Sequence, residues 1–185
     1  ASFADCERAV ATISEEFGVI DILVNCAGIT RDGTLKKMPE DNWRAVIATN
    51  MDSAFNVTRH VINGMLDKGW GRIVNIASVN GQRGQFGQAN YSAAKAGMHG
   101  FTMAVALETA AKGITVNTVS PGYIATAMTQ AMPENVLESI VNSVPMRRMG
   151  KPEEIANAVA WLASEGNGYT TGANIPVNGG LFTSH

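Results

Sequence analysis

Tyr91 and Lys95 stand four residues apart in a stretch rich in Ala and Met. On a helix that spacing puts both on one face, one turn apart. A free phenol has a pKa of about 10 and is a poor proton carrier at neutral pH. A nearby ammonium stabilises the phenolate and lowers that value. A tyrosine tuned in this way can donate a proton to a carbonyl oxygen or take one from an alcohol. The spare donors of Lys95 can also reach a ribose hydroxyl. Ser78 lies 13 residues before Tyr91, and its hydroxyl can hydrogen-bond a substrate oxygen as charge develops there. Taken singly, a Tyr-x-x-x-Lys pair also reads as surface decoration, and a serine after a strand as an ordinary turn residue.

Positioning these groups requires a framework, and the sequence alternates helix with strand. Phe3, Cys6, Val10, Ile13 and Phe17 recur at helical steps and predict one buried stripe, ended by Gly18. Ile20 to Asn25 is a short apolar run closing on Cys26-Ala27-Gly28, as expected of a buried parallel strand followed by a glycine turn. Pro39, Glu40 and Asp41 suit the first turn of a helix expected to run to about Asp67, with Asn50 in its middle. Gly71 to Ile76 is a second strand and Ala89 to about Ala111 a long helix. Ile114 to Val119 is a third strand, stopped by Pro121-Gly122. A helix starts at Lys151-Pro152-Glu153-Glu154 and runs to about Ser164, and Ala173 to Val177 is the last strand. Strands alternating with helices imply an α/β fold, a parallel sheet with helices on both faces. Ligands of such folds sit outside the carboxyl ends of the strands, where Asn25 to Gly28, Ser78 and Pro121-Gly122 all fall.

The 185 residues fit one domain, 45% hydrophobic and 16% charged. A net charge of -2 gives no pull toward nucleic acid or an anionic membrane. No apolar run reaches the length of a membrane span, and the first residues lack the pattern of a signal peptide. The two cysteines, Cys6 and Cys26, form neither a metal-site spacing nor a disulfide framework, and read as reduced thiols of a cytoplasmic protein.

Taken in order, Asn25-Cys26-Ala27-Gly28, Asn50, Ser78, Tyr91, Lys95 and Pro121-Gly122 resemble the short-chain dehydrogenase/reductase family, from residue 1 to about residue 180. The resemblance implies a Rossmann-like, doubly wound parallel sheet and a nicotinamide cofactor, with NADP(H) favoured and NAD(H) open. It implies that Tyr91 is the general acid of reduction and that Lys95 lowers its pKa and holds the nicotinamide ribose. Ser78 would orient the substrate carbonyl, and Asn50 would support a water linking Lys95 to solvent. Asn25, Ala27 and Gly28 would line the adenosine side of the cofactor, and Pro121, Gly122 and Thr126 its nicotinamide. Where the family has a second Asn this sequence has Cys26, expected to be a small buried thiol.

The loops GITRDGTLKKM (28–38), SVNGQRGQFGQ (78–88) and PGYIAT (121–126) are similar to those of members that reduce acetoacetyl-CoA or similar 3-oxoacyl thioesters. Members that act on carrier-protein thioesters share the GITRD segment. The same resemblance implies substrate contacts from Asp32, Lys37, Gln85, Phe86, Gln88 and Tyr123. It also implies a homotetramer packed through the helix carrying Ala93, Ala94, Ala96, Gly97 and Ala104. The alternative reading of those small residues is that they face the sheet.

The Thr-Gly-x-x-x-Gly-x-Gly turn that cradles a pyrophosphate is not among these residues, nor is the residue that separates NAD from NADP. By comparison with the family, residues 1 to 17 would be the third helix, with three strands and two helices preceding it. The 185 residues would then be the C-terminal catalytic portion of one domain, and the Ile20 to Asn25 strand an open edge. Three readings stand: part of a whole enzyme, an inactive fragment serving as a binding or interaction module, or a chain completed by another. The intact catalytic set favours the first.

Overall fold

The computed structural model describes residues 2–126, 129 and 133–183. Four parallel strands form one sheet in the order β1-β2-β3-β4. They are β1 (Ile22–Asn25), β2 (Gly71–Ile76), β3 (Ile114–Pro121) and β4 (Asn174–Val177). The register sets Asn25 beside Asn75 and Asn75 beside Thr118.

The strands alternate between two apolar layers, as a sheet covered on both faces requires. Ile73, Ile114 and Val116 pack under α3 (Ser53–Lys68) and α5 (Ala89–Thr109) with Val61, Met65 and Ala106. Val74 and Val119 point the other way, against Leu162 of α7 (Pro152–Ala163). Helices thus cover both faces, as the alternating pattern predicts.

Helix α1 (Phe3–Phe17) begins at Ser2, whose Oγ accepts from the Asp5 amide at 3.3 Å, and ends at Gly18 with φ 82°. The expected buried stripe is only partly covered. Val10 packs against the core, but no α1 residue is fully buried and Phe17 is exposed. Strand β1 pairs on one side only among the described residues, with Ile22 and Val24 exposed.

Two expectations about helices change. The long helix expected from Pro39 is α2 (Glu40–Ile47) and α3 joined by a π turn over Ala48–Asp52. Periodicity does not reveal such a turn because it inserts a single residue without breaking the helix. The helix ending near Ala111 instead closes as a 3₁₀ turn, Ala110–Lys112, capped by left-handed Gly113. Two further helices were unforeseen: α4 (Val79–Arg83) and α6 (Glu134–Ser143). The first is a single turn, and the second buries no residue, so neither has a strong core pattern.

Candidate active site

Ser78 follows β2 and starts α4, its Oγ accepting from the Asn80 amide at 3.1 Å. Helix α4 lies directly on α5. A Cβ on Gly81 would sit 2.7 Å from the Lys95 carbonyl carbon and 2.9 Å from the Ala96 nitrogen. Only a glycine permits that approach, and it carries Ser78 to the face that holds Tyr91 and Lys95.

Asn90, immediately before Tyr91, is fully buried. Its Nδ2 donates to the Arg31 and Asn42 carbonyls at 3.0 and 3.4 Å, and its Oδ1 accepts from the Tyr91 amide at 2.8 Å. The start of α5 is therefore fastened to the loop after β1 and to α2. No sequence signal marks Asn90, since its partners Arg31 and Asn42 lie in other segments.

Lys95 is 3% exposed, and its Nζ donates to the Ile76 carbonyl at 2.7 Å. Two of its three donors remain for other partners. The ammonium lies 5.8 Å from the centre of the Tyr91 ring. Burial pulls the Lys95 pKa down to about 8, because desolvation disfavours the charged form. Burial pushes the Tyr91 phenol up; the Ser78 hydrogen bond opposes that shift, and the Asp32 charge adds to it.

Asn50 occupies the π turn and is fully buried. Its Nδ2 donates to the Ile29 and Val46 carbonyls, both at 2.9 Å, and its Oδ1 accepts from the Ile29 amide at 3.1 Å. A Cβ on Gly28 would meet Asn50 Oδ1 at 2.6 Å and lie 3.6 Å from Lys95 Nζ. The structure thus brings Gly28, Asn50 and Lys95 together. Asn25 belongs elsewhere by its side chain. Its amide donates to Asn75 Oδ1 at 2.8 Å and Thr58 Oγ1 at 3.2 Å, and Asn75 continues to Thr102. It braces the sheet, while Ala27 and Gly28 are exposed. The expectation of a buried Cys26 is corrected: the thiol is free and exposed, because the described residues cover β1 on one side only.

Across the site, Gly122 packs so closely that a Cβ would stand 2.8 Å from Asn178 Cα, and its amide donates to Val177 at 2.9 Å. The exposed Thr126 accepts no core role; its amide donates to Thr129 Oγ1 at 2.8 Å. Tyr123 lines a cavity of about 340 Å³ with Met146, Arg148 and Asn178.

The remaining candidates gather on two loops. The Gly33 amide donates to the Gly87 carbonyl at 2.8 Å, joining the loop after β1 to the loop before α5. Gln88 Nε2 donates to both Asp32 carboxylate oxygens, at 3.1 and 3.0 Å. Lys37 and Gln85 are exposed there, and Phe86 is 88% exposed.

The residues present fit a dinucleotide by this geometry. Lys95 has unused donors, and the exposed Ala27 and Gly28 leave the backbone open at the carboxyl end of β1. Among the described residues, no helix is long and apolar enough to cross a membrane.

Comparison with known proteins agrees with this chemistry. A family described as enoyl-(acyl carrier protein) reductase matches residues 1–182. A protein of Allochromatium vinosum named acetoacetyl-CoA reductase is 67% identical over 98% of this chain and 74% of its own length. One of that name from Cupriavidus necator is 59% identical over the same shares. A 3-oxoacyl-[acyl-carrier-protein] reductase of Vibrio cholerae is 49% identical over 95% of this chain and 72% of its own length. Geometry and likeness together place this chain in the short-chain dehydrogenase/reductase family, as an oxidoreductase acting on CH–OH groups with a nicotinamide cofactor.

Proposed function

We propose that the protein reduces acetoacetyl-CoA to (R)-3-hydroxybutyryl-CoA with NADPH, a step in polyhydroxybutyrate synthesis. The observation that carries the chemistry is the convergence of Ser78, Tyr91 and Lys95, with Lys95 buried one turn from Tyr91 and its ammonium 5.8 Å from the tyrosine ring centre. The thioester assignment draws on the names of relatives from Allochromatium vinosum and Cupriavidus necator.

The nicotinamide, when bound, supplies the hydride. Lys95 and the open backbone at Gly28 would hold the dinucleotide, with Ala27, Pro121, Gly122 and Thr126 beside it. The Asn80 amide occupies one lone pair of Ser78 Oγ, and the serine hydroxyl would donate its hydrogen to the substrate carbonyl. Tyr91 gives its proton to that oxygen as negative charge develops. The Lys95 ammonium favours the resulting phenolate, and the proton is restored past Lys95 by a water supported at Asn50. Lys37, Gln85, Phe86 and Tyr123 are proposed to meet the thioester, with Asp32 and Gln88 shaping the wall between them.

We assign the protein to the cytoplasm and infer a homotetramer. Ala93, Ala96, Gly97 and Ala104 of α5 are exposed, so they do not face the sheet; Ala94 alone of that set is buried. Met103 and Leu107 on the same helix are also exposed.

The deciding assay supplies the complete protein with NADPH and either acetoacetyl-CoA or an acetoacetyl carrier-protein thioester. Higher kcat/KM for the CoA thioester is expected. Clear preference for the carrier protein would move the assignment to a 3-oxoacyl-[acyl carrier protein] reductase, the name borne by the Vibrio cholerae relative.

A further inference from the structure

The side chain of Asn80 has no place in the chemistry described so far, yet Asn80 joins the catalytic serine to a carboxylate at the rim. Its backbone amide donates to Ser78 Oγ at 3.1 Å. Its side-chain Nδ2 donates to Gln88 Oε1 at 3.0 Å, and Gln88 Nε2 donates to both oxygens of Asp32. The polarity of this chain has one origin. An ionised carboxylate only accepts, so Gln88 must turn its NH₂ toward Asp32 and its carbonyl oxygen toward Asn80. Asn80 must in turn present its NH₂ to Gln88. The consequence is visible at the far end: Asn80 Oδ1 is buried with no hydrogen-bond partner among the described residues. A buried amide left free would rotate to satisfy that oxygen. The relay holds it against that preference.

We propose that Asp32, Gln88 and Asn80 form a relay of positioning residues that fixes the first turn of α4 and so aims the Ser78 hydroxyl at Tyr91 and the substrate carbonyl. Asp32 and Gln88 then also act on the reaction through each other. The inference rests on the reductase reading given above. Tyr91 reports on it because it faces three groups: Ser78 at the head of α4, Lys95 on its own helix, and the Asp32 charge from the loop after β1.

The test uses the complete protein with ¹³Cζ-labelled tyrosine. The Tyr91 signal is identified by its loss in Tyr91→Phe. Gln88→Glu sets two carboxylates against each other. Asp32→Asn with Gln88→Glu moves the carboxylate to the middle of the relay and restores both hydrogen bonds at the original net charge. Asn80→Leu cuts the relay without changing charge. Misplaced catalytic groups cost rate steeply, so Gln88→Glu and Asn80→Leu should lower kcat for acetoacetyl-CoA roughly tenfold, with KM changed by less than about threefold. Both should raise the Tyr91 titration midpoint. The Asp32→Asn/Gln88→Glu pair should recover kcat and the midpoint. A swap variant as slow as Gln88→Glu would overturn the relay. So would an Asn80→Leu variant with unchanged kcat and Tyr91 titration, or losses confined to KM. The titration needs no turnover, so its result is separate from whether acetoacetyl-CoA is the substrate.

Discussion

A buried lysine beside a half-buried tyrosine gives a pH signature that neither residue would show alone. Burial lowers Lys95 to about 8, while burial raises Tyr91 above its ordinary value. Reduction consumes the phenol proton and leaves a phenolate, which needs the ammonium. Below about 8 Lys95 is charged, and above it the charge is lost. The kcat for reduction should therefore be level on the acid side and fall as pH rises through about 8, as read from a pH–rate profile. Tyr91→Phe keeps the ring and removes the proton. Its kcat should drop by roughly 10²- to 10⁴-fold, the range of general acid catalysis, with circular dichroism unchanged.

At the level of elements, the site depends on how closely α4 lies on α5. Gly81→Ala would place a methyl 2.7 Å from Lys95 backbone, where nothing can yield as a flexible side chain would. Overpacking of this kind costs about 1–3 kcal/mol, to be measured by urea unfolding, and kcat should fall with it as Ser78 shifts. This is also where the sequence ceases to be legible. Ser78, Tyr91 and Lys95 could be found because their chemistry and spacing are distinctive. The strands could be found because runs such as GRIVNI and ITVNTV are buried throughout. Gly81, Asn80 and Asn90 could not, because their value lies in how separate elements meet: Gly81 against α5, Asn80 through Gln88 to Asp32, and Asn90 to Arg31 and Asn42. Asn25 shows the same limit in reverse. Its place in the motif suggested the cofactor, but the amide turns inward to Thr58 and Asn75.

For the whole molecule, the proposed homotetramer would be packed through the outward face of α5. A face of small residues lets helices approach closely, and Leu107 is 86% exposed, an apolar surface that invites a partner. Met103→Glu with Leu107→Glu adds charge to that face without touching the core. If the proposed tetramer packs through this face, sedimentation velocity should show a tetramer for the complete protein and a smaller species for the variant, with the far-ultraviolet spectrum preserved. An unchanged sedimentation coefficient would place the contact elsewhere.

The π turn at Ala48–Asp52 makes the molecule intolerant of a change in length at one point. Removing a single residue there would let α2 run into α3 as an ordinary helix, but each residue advances a helix by about 100°. The whole of α3 would roll by that amount. Val61 and Met65 would leave the sheet, and the amide now bound to Ile29 would swing away from the glycine turn. Loops elsewhere can gain or lose a residue at modest cost; here the residue count is a gear tooth that keeps the core face and the active-site face of one helix in phase.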